Sequence, residues 1–192
     1  MFSFFSFFSR GATGGYEYLY KEVAMKDARE RRLAGDPVTL ATVLDAREAR
    51  ALLCLTLNMP GPVKRNEASR RAFAAGLAAL RAAGLMDRVE REWTLDLITG
   101  PEAYLRLSCP AAEAKAIACQ VEEAQPWGRL LDADVLRPNG VPMSRGELGK
   151  PPRGCLVCGK PGMGCARSRA HDLPALYAAV LDRTDSLFEG EG

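Results

Sequence analysis

Two aspartates, Asp132 and Asp134, stand two residues apart in an apolar run at 130–136 that the sequence predicts to be a strand. Alternate strand residues point to the same face, so both carboxylates are expected side by side. Close carboxylates repel each other, and burying them is costly unless a cation neutralises them. A Mg²⁺ ion would do so and would also hold substrate phosphates, which makes the pair a candidate catalytic site. The alternative is an ordinary acidic pair on a solvated strand face.

Three cysteines and the single histidine form a second candidate site. Cys155 and Cys158 are separated by two residues, Cys165 follows after six more, and His171 after a further five. This is the ligand set of a Cys₃His zinc site. The alternative is a group of reduced thiols that packs a turn, with His171 capping the following helix.

Basic residues surround both candidate sites. From Arg129 to His171 the sequence holds eight Lys or Arg against three Asp or Glu. Cations beside a carboxylate pair are typical of a polyphosphate site, where the cations contact the oxygens and the carboxylates hold a metal. A scattered basic surface is the alternative.

Composition limits the classes of protein to which the chain can belong. Its 192 residues are 47 % hydrophobic and 26 % charged, which is typical of a globular protein with a core. The net charge of +2 provides no global field for nucleic acid, and no apolar run is long enough to span a membrane. We expect neither partner. The chain is too long to need a disulfide framework, so the six cysteines predict reduced thiols and a cytoplasmic location.

The pattern of elements predicts an α+β fold. Strands, helices and turn residues follow one another as strand, helix, strand, strand, helix, strand, which is the ferredoxin-like βαββαβ order. The predicted ranges are 52–57, 69–83, 93–99, 103–108, 110–123 and 130–136. Helices at 16–33 and 39–50 precede this core, and a Cys-rich loop and a helix at 171–188 follow it. We expect a partly disordered tail and helix over 1–37 and a single domain over 38–192.

Several motifs in this order resemble the citrate lyase holo-acyl-carrier-protein synthases, which are apo-citrate lyase phosphoribosyl-dephospho-CoA transferases. The resemblance covers about residues 52–181, and residues 1–37 have no clear counterpart in it. Its motifs are Pro60-Gly61-Pro62-Val63-Lys64, Arg70-Arg71 with Phe73, Gly128-Arg129-Leu130 with Asp132, Asp134 and Val135, Ser144-Arg145, Pro152-Arg153 with Cys155, Leu156 and Cys158, and Cys165-Ala166-Arg167 with His171.

The resemblance implies a nucleotidyltransferase. Its donor would be 2′-(5″-triphosphoribosyl)-3′-dephospho-CoA, and its acceptor a serine of the citrate lyase acyl-carrier (gamma) subunit, with release of pyrophosphate. On this hypothesis Asp132 and Asp134 hold Mg²⁺ on the triphosphate, and one of them, or the bound metal, helps to deprotonate the serine. The residues that would neutralise the phosphates are Lys64, Arg129, Arg153, Arg167 and Arg169.

Two other functions fit parts of the sequence. A zinc-knuckle module that binds protein or nucleic acid would explain the Cys₃His spacing and the local basic charge. The corresponding transferase for the malonate decarboxylase carrier would use a similar donor. The residue order around Asp132 favours the citrate lyase type.

Overall fold

The structure is a computed structural model that describes residues 50–188. The predicted tail and helix at 1–37 lie outside the described residues, as does the helical stretch at 39–50 except for Arg50. The predicted domain boundary at residue 37 therefore also lies outside them.

A five-stranded antiparallel sheet forms the centre of the described region. Its spatial order is β2-β3-β1-β4-β5. The strands are β1 (Ala51–Leu57), β2 (Val89–Leu97), β3 (Gly100–Leu107), β4 (Leu131–Leu136) and β5 (Pro142–Met143). All seven residues of β1 are buried, because this strand lies in the middle of the sheet. That position explains why its sequence is a continuous apolar run rather than an alternating one.

Four α-helices accompany the sheet in the described residues. They are α1 (Glu67–Leu80), α2 (Ala111–Ala124), α3 (Gly162–Ser168) and α4 (Leu173–Thr184). Asn66 caps the start of α1: its Oδ1 accepts a hydrogen bond from the N–H of Ser69 (2.8 Å), and the Ser69 Oγ accepts one from the N–H of Asn66 (2.9 Å). This reciprocal cap satisfies two backbone donors that a helix start otherwise leaves free.

The main core lies between one face of the sheet and the helices. Alternate residues of the strands, including Leu53, Leu55 and Leu105, pack there against α1 and α2. The other face, which we call the second face, carries a smaller apolar cluster of Leu52, Cys54 and Tyr104. The two-residue period of the strands separates the two sets.

The predicted α+β class is confirmed, and the strand and helix order from Ala51 to Leu136 is the expected one. The three cysteines outside the Cys-rich region, Cys54, Cys109 and Cys119, are buried. The predicted end of the second strand is wrong by two residues. Ile98 and Thr99 form the tight turn of the β2–β3 hairpin, and Gly100, with φ of +108°, already begins β3.

The Cys-rich region departs from the prediction of an irregular loop. It contains the short helix α3, which starts after Pro161 and carries Gly162, Gly164 and Cys165. Glycines disfavour a helix, so propensity hides α3 in the sequence. The two-residue strand β5 was not predicted because it is too short to show a period.

Within residues 50–188, no helix combines the length and the apolar character that crossing a membrane would require.

Gly128 allows the turn before β4 to approach the end of α2. A Cβ atom at this position would lie 2.7 Å from the Glu122 carbonyl oxygen and 2.8 Å from that of Val121. We expect Gly128→Ala to lower the free energy of unfolding by about 1–3 kcal/mol, because backbone atoms must move to admit the methyl group. Urea denaturation followed by circular dichroism measures the change.

Gly146→Ala is the matched control, since its Cβ would meet only the Ser144 Oγ at 3.7 Å. Equal stability of the two variants would contradict the predicted clash.

Candidate active site

Asp132 and Asp134 lie on β4 and share the second face of the sheet. Asp132 is opposite Thr56 and Asp134 is opposite Cys54 of β1. Between them, Ala133 points into the main core. The strand geometry therefore places the two carboxylates next to each other, as their spacing predicts.

Asp132 is the more buried of the two carboxylates. Its side chain is only 21 % exposed, and one oxygen lies 3.7 Å from Nη1 of Arg153. Burial and the charge of Asp134 raise the pKa of Asp132 to about 6, and Arg153 offsets only part of this rise. Asp132 is thus a carboxylate whose environment favours a bound proton or cation.

Arg129 and Arg153 hold each other in place beside this pair. The Nε of Arg129 donates to the Gly154 carbonyl oxygen (2.6 Å), and Nη2 of Arg153 donates to the Arg129 carbonyl oxygen (2.7 Å). Burial and the nearby charge of Arg153 lower the pKa of Arg129 to about 10. The Arg129 guanidinium remains charged at neutral pH, so a bound anion would relieve its repulsion with Arg153.

Two buried charges of α2 line the edge of β4. Lys115 Nζ donates to the Ala133 carbonyl oxygen (2.8 Å), and a Glu122 carboxylate oxygen accepts a hydrogen bond from the Ala133 N–H (3.3 Å). Glu122 also forms ion pairs with Arg145 (3.6 Å) and Arg153 (3.7 Å). These side chains occupy the place of a neighbouring strand and satisfy its hydrogen bonds.

Sequence reasoning missed Lys115 and Glu122. They are seven residues apart, which places them on the same stripe of a helix. That stripe is otherwise apolar, with Ala111, Ala114 and Ala118 buried. Two charged residues on an otherwise apolar helix stripe were the signal in the sequence that could have identified this pair.

Lys64 lies on the loop between β1 and α1. This loop is near the start of β4, since the N–H of Asn58 donates to the Leu130 carbonyl oxygen (2.7 Å). Lys64 Nζ donates to the Met59 carbonyl oxygen. Gly61 of the same loop has φ of +69° and packs against Tyr177 of α4, which holds the loop against the C-terminal helix.

Arg167 and Arg169 lie in the C-terminal part of the described residues, in and just after α3. Both are exposed; Arg167 lies within α3 and Arg169 follows its end. Asp132 forms its ion pair with Arg153. The structure thus brings Arg153 to Asp132, with Arg129 hydrogen-bonded to the segment of Arg153, and places Arg167 and Arg169 in and just after α3.

The three predicted sulfur ligands and His171 come together in space. One ligand atom of each residue lies within 4.8 Å of all the others. All six cysteines are within residues 50–188 and are free thiols. Burial alone would raise the pKa of Cys155, but the backbone N–H groups of Cys158 and Val157 outweigh it and lower this pKa to about 7. The set can therefore supply a thiolate at neutral pH.

Comparison with known proteins points to one family. A family model described as apo-citrate lyase phosphoribosyl-dephospho-CoA transferase matches residues 23–186. A protein of that name from Escherichia coli O139:H28 (strain E24377A / ETEC) is 37 % identical over 138 residues, which cover 71 % of this chain and 73 % of the relative. One from Shigella boydii serotype 18 (strain CDC 3083-94 / BS512) has the same identity and coverage. The family match begins at residue 23. Part of the segment 1–37, for which the motifs gave no counterpart, therefore does have one in the family.

The raised pKa of Asp132 predicts a stability that depends on pH. Below its ordinary pKa of 3.8 the carboxyl group is protonated in both the folded and the unfolded protein. As pH rises from there through about 6, the unfolded protein loses this proton more readily than the folded protein, so the folded protein loses stability. Asparagine stays neutral, so we expect Asp132→Asn to be more stable than the parent protein above pH 6. The rise from 3.8 to about 6 limits the gain to about 3 kcal/mol.

Urea denaturation at a series of pH values measures this gain, which should vanish near pH 4. Asp182→Asn, at an exposed residue of α4, controls for the loss of one negative charge. A gain that is the same at every pH would contradict the assignment of the shift to Asp132.

Proposed function

Because this chain belongs to the apo-citrate lyase phosphoribosyl-dephospho-CoA transferase family, we propose that it attaches the phosphoribosyl-dephospho-CoA group to a serine of the citrate lyase acyl-carrier (gamma) subunit. The donor is 2′-(5″-triphosphoribosyl)-3′-dephospho-CoA, and pyrophosphate is released. The observation that carries the proposal is the contact of Arg153 with Asp132, beside Arg129. It supports the proposal, because a polyphosphate site needs cations beside a carboxylate pair that holds a metal.

Arg129 and Arg153 are suited to a polyphosphate because their positions are set before a ligand arrives. Each donates to the backbone of the segment that carries the other. Guanidinium groups fixed in this way lose little conformational freedom when they bind phosphate oxygens. Lys64 would add a positive charge from the adjacent loop. Arg167 and Arg169 would contact the donor outside the reacting centre.

The carboxylate pair fits a Mg²⁺ ion. Mg²⁺ binds oxygen ligands and commonly uses one or two carboxylates together with substrate phosphates. Asp132 and Asp134 supply two such groups on one face, and burial together with the charge of Asp134 raises the pKa of Asp132. When bound, the ion would neutralise charge on the triphosphate.

The transfer is an in-line displacement at phosphorus. The serine oxygen of the carrier forms a bond to the α-phosphorus, and the bond from that phosphorus to the α,β-bridging oxygen breaks. Pyrophosphate leaves with the bonding electron pair, and Arg129 and Arg153 stabilise its charge. One carboxylate of the Asp132–Asp134 pair would accept the serine proton.

Two further features belong to this proposal. We assign the region from β1 to β4 to the ferredoxin-like arrangement; the element order and the antiparallel order β2-β3-β1-β4 support it. We place the activity in the cytoplasm, since six free cysteines fit a reducing compartment.

Intact-mass spectrometry of the carrier tests the reaction. The apo acyl-carrier subunit is incubated with this protein, Mg²⁺ and the triphosphoribosyl donor. We expect a mass gain equal to the phosphoribosyl-dephospho-CoA group, which is lost when Mg²⁺ is omitted. Asp132→Asn and Asp134→Asn should each lower the rate at least about 100-fold, because proton transfer and charge neutralisation both depend on them.

Two outcomes would count against this proposal. A fully active Asp132→Asn enzyme would remove that carboxylate from the reaction. Modification of the malonate decarboxylase carrier, with none of the citrate lyase carrier, would show that the acceptor is the other one.

Arg167→Ala and Arg169→Ala test whether the exposed arginines contact the donor. We expect each to raise the KM for the donor about 3- to 10-fold with little change in kcat, since loss of a charged contact outside the reacting centre weakens binding. Initial rates at varied donor concentration measure both constants.

Arg88→Ala is the matched control, because Arg88 is exposed and precedes β2 at the opposite end of the sheet. Unchanged KM in both test variants would exclude Arg167 and Arg169 from the donor site.

A further inference from the structure

We propose that Cys155, Cys158, Cys165 and His171 bind one structural Zn²⁺ ion. Their ligand atoms all lie within 4.8 Å of one another. In a tetrahedral site with Zn–S bonds of about 2.3 Å, two sulfurs are about 3.8 Å apart. The Sγ atoms of Cys158 and Cys165 are 3.6 Å apart. An ion therefore fits among the four side chains with only small adjustments.

The state of His171 favours a metal ion over a group of thiols. Its Nε2 atom is shielded from solvent and has no hydrogen-bond partner among the described residues. A buried polar atom in that condition is destabilising, and coordination would provide the missing partner for the ring. Three thiolates and an imidazole are the ligands that Zn²⁺ prefers. Since the protein supplies all four, the site would be closed and structural rather than catalytic.

The backbone around Cys155 supports a metal-bound thiolate. The N–H of Val157 donates to the Cys155 Sγ (3.4 Å), and the N–H of Gly159 donates to the Cys155 carbonyl oxygen (3.2 Å). Gly159 has φ of +72°, a conformation that reverses the chain directly after Cys158. Donors aimed at a sulfur ligand stabilise its charge and fix its orientation.

The ion would stabilise a region that has little apolar core of its own. Residues 150–161 contain no helix and no strand longer than the single bridge between Gly154 and Pro161. Zinc would join this segment to α3 through Cys165, and to the residues just before α4 through His171. On the outer side, Arg183 of α4 donates to the Leu156 carbonyl oxygen (2.8 Å), which completes the attachment.

This site would also position Arg153. Arg153 lies two residues before Cys155, and Gly154 between them accepts the hydrogen bond of Arg129. Fixing Cys155 therefore fixes the segment that carries both guanidinium contacts. The zinc assignment does not rest on the proposed reaction, because its readout is bound metal.

Metal analysis of the full chain, purified without a polyhistidine tag or chelator, tests the assignment. We expect elemental analysis by inductively coupled plasma mass spectrometry to find one zinc ion per chain. After exchange with Co²⁺, the protein should show the visible absorption of a tetrahedral thiolate–cobalt site. Removal of the metal by a strong chelator should lower the melting temperature.

Variants separate the site from other cysteines. Cys158→Ser and His171→Ala should each lower the bound zinc at least tenfold, whereas His171→Cys should retain it as a four-thiolate site. Cys119→Ser, at a buried cysteine of α2, should bind as much zinc as the parent protein.

Parent protein that contains no zinc and gives no cobalt spectrum would overturn the proposal. So would a disulfide between Cys158 and Cys165 in protein whose thiols were alkylated at cell lysis. Both of these measurements use the parent protein, so they decide the question even where a ligand variant fails to fold.

Discussion

The buried carboxylate of Glu122 is the constraint on which the site depends. Its side chain is only 4 % exposed, and an uncompensated charge there would be strongly destabilising. Arg145 and Arg153 neutralise it from two different segments. These ion pairs attach both segments to α2. The polar edge of β4 is built around this one group.

The same pairing sets the electrostatics beside Asp132. Arg153 contacts Glu122 and Asp132 with the same nitrogen, at 3.7 Å in each case. Its charge is therefore shared between two carboxylates, and it offsets only part of the rise in the pKa of Asp132 that burial and the charge of Asp134 cause. The carboxylates lack enough positive charge to balance them, which favours a metal cation. The guanidinium groups of Arg129 and Arg153 favour a polyphosphate.

Much of the fold was predictable because its signals are local. The central strand is a continuous apolar run, the Asn66 cap precedes α1, and the carboxylates alternate along β4. The errors fall where local signals are weak or opposed. Ile98 and Thr99 have strand propensity, yet they form a hairpin turn because the strands on either side pair in a fixed register. Helix α3 is rich in glycine and short, and its position depends on contacts outside it.

The sequence by itself determined the two candidate ligand sets, the α+β class and the family resemblance, since each depends on residue type and spacing along the chain. Tertiary structure alone decided which charges meet. It placed Glu122 and Lys115 at the edge of β4, brought Arg153 to Asp132, and left Arg167 and Arg169 exposed on a separate segment. Ion pairing between distant segments depends on how helices and loops pack around a buried charge, and spacing in the chain does not record that packing.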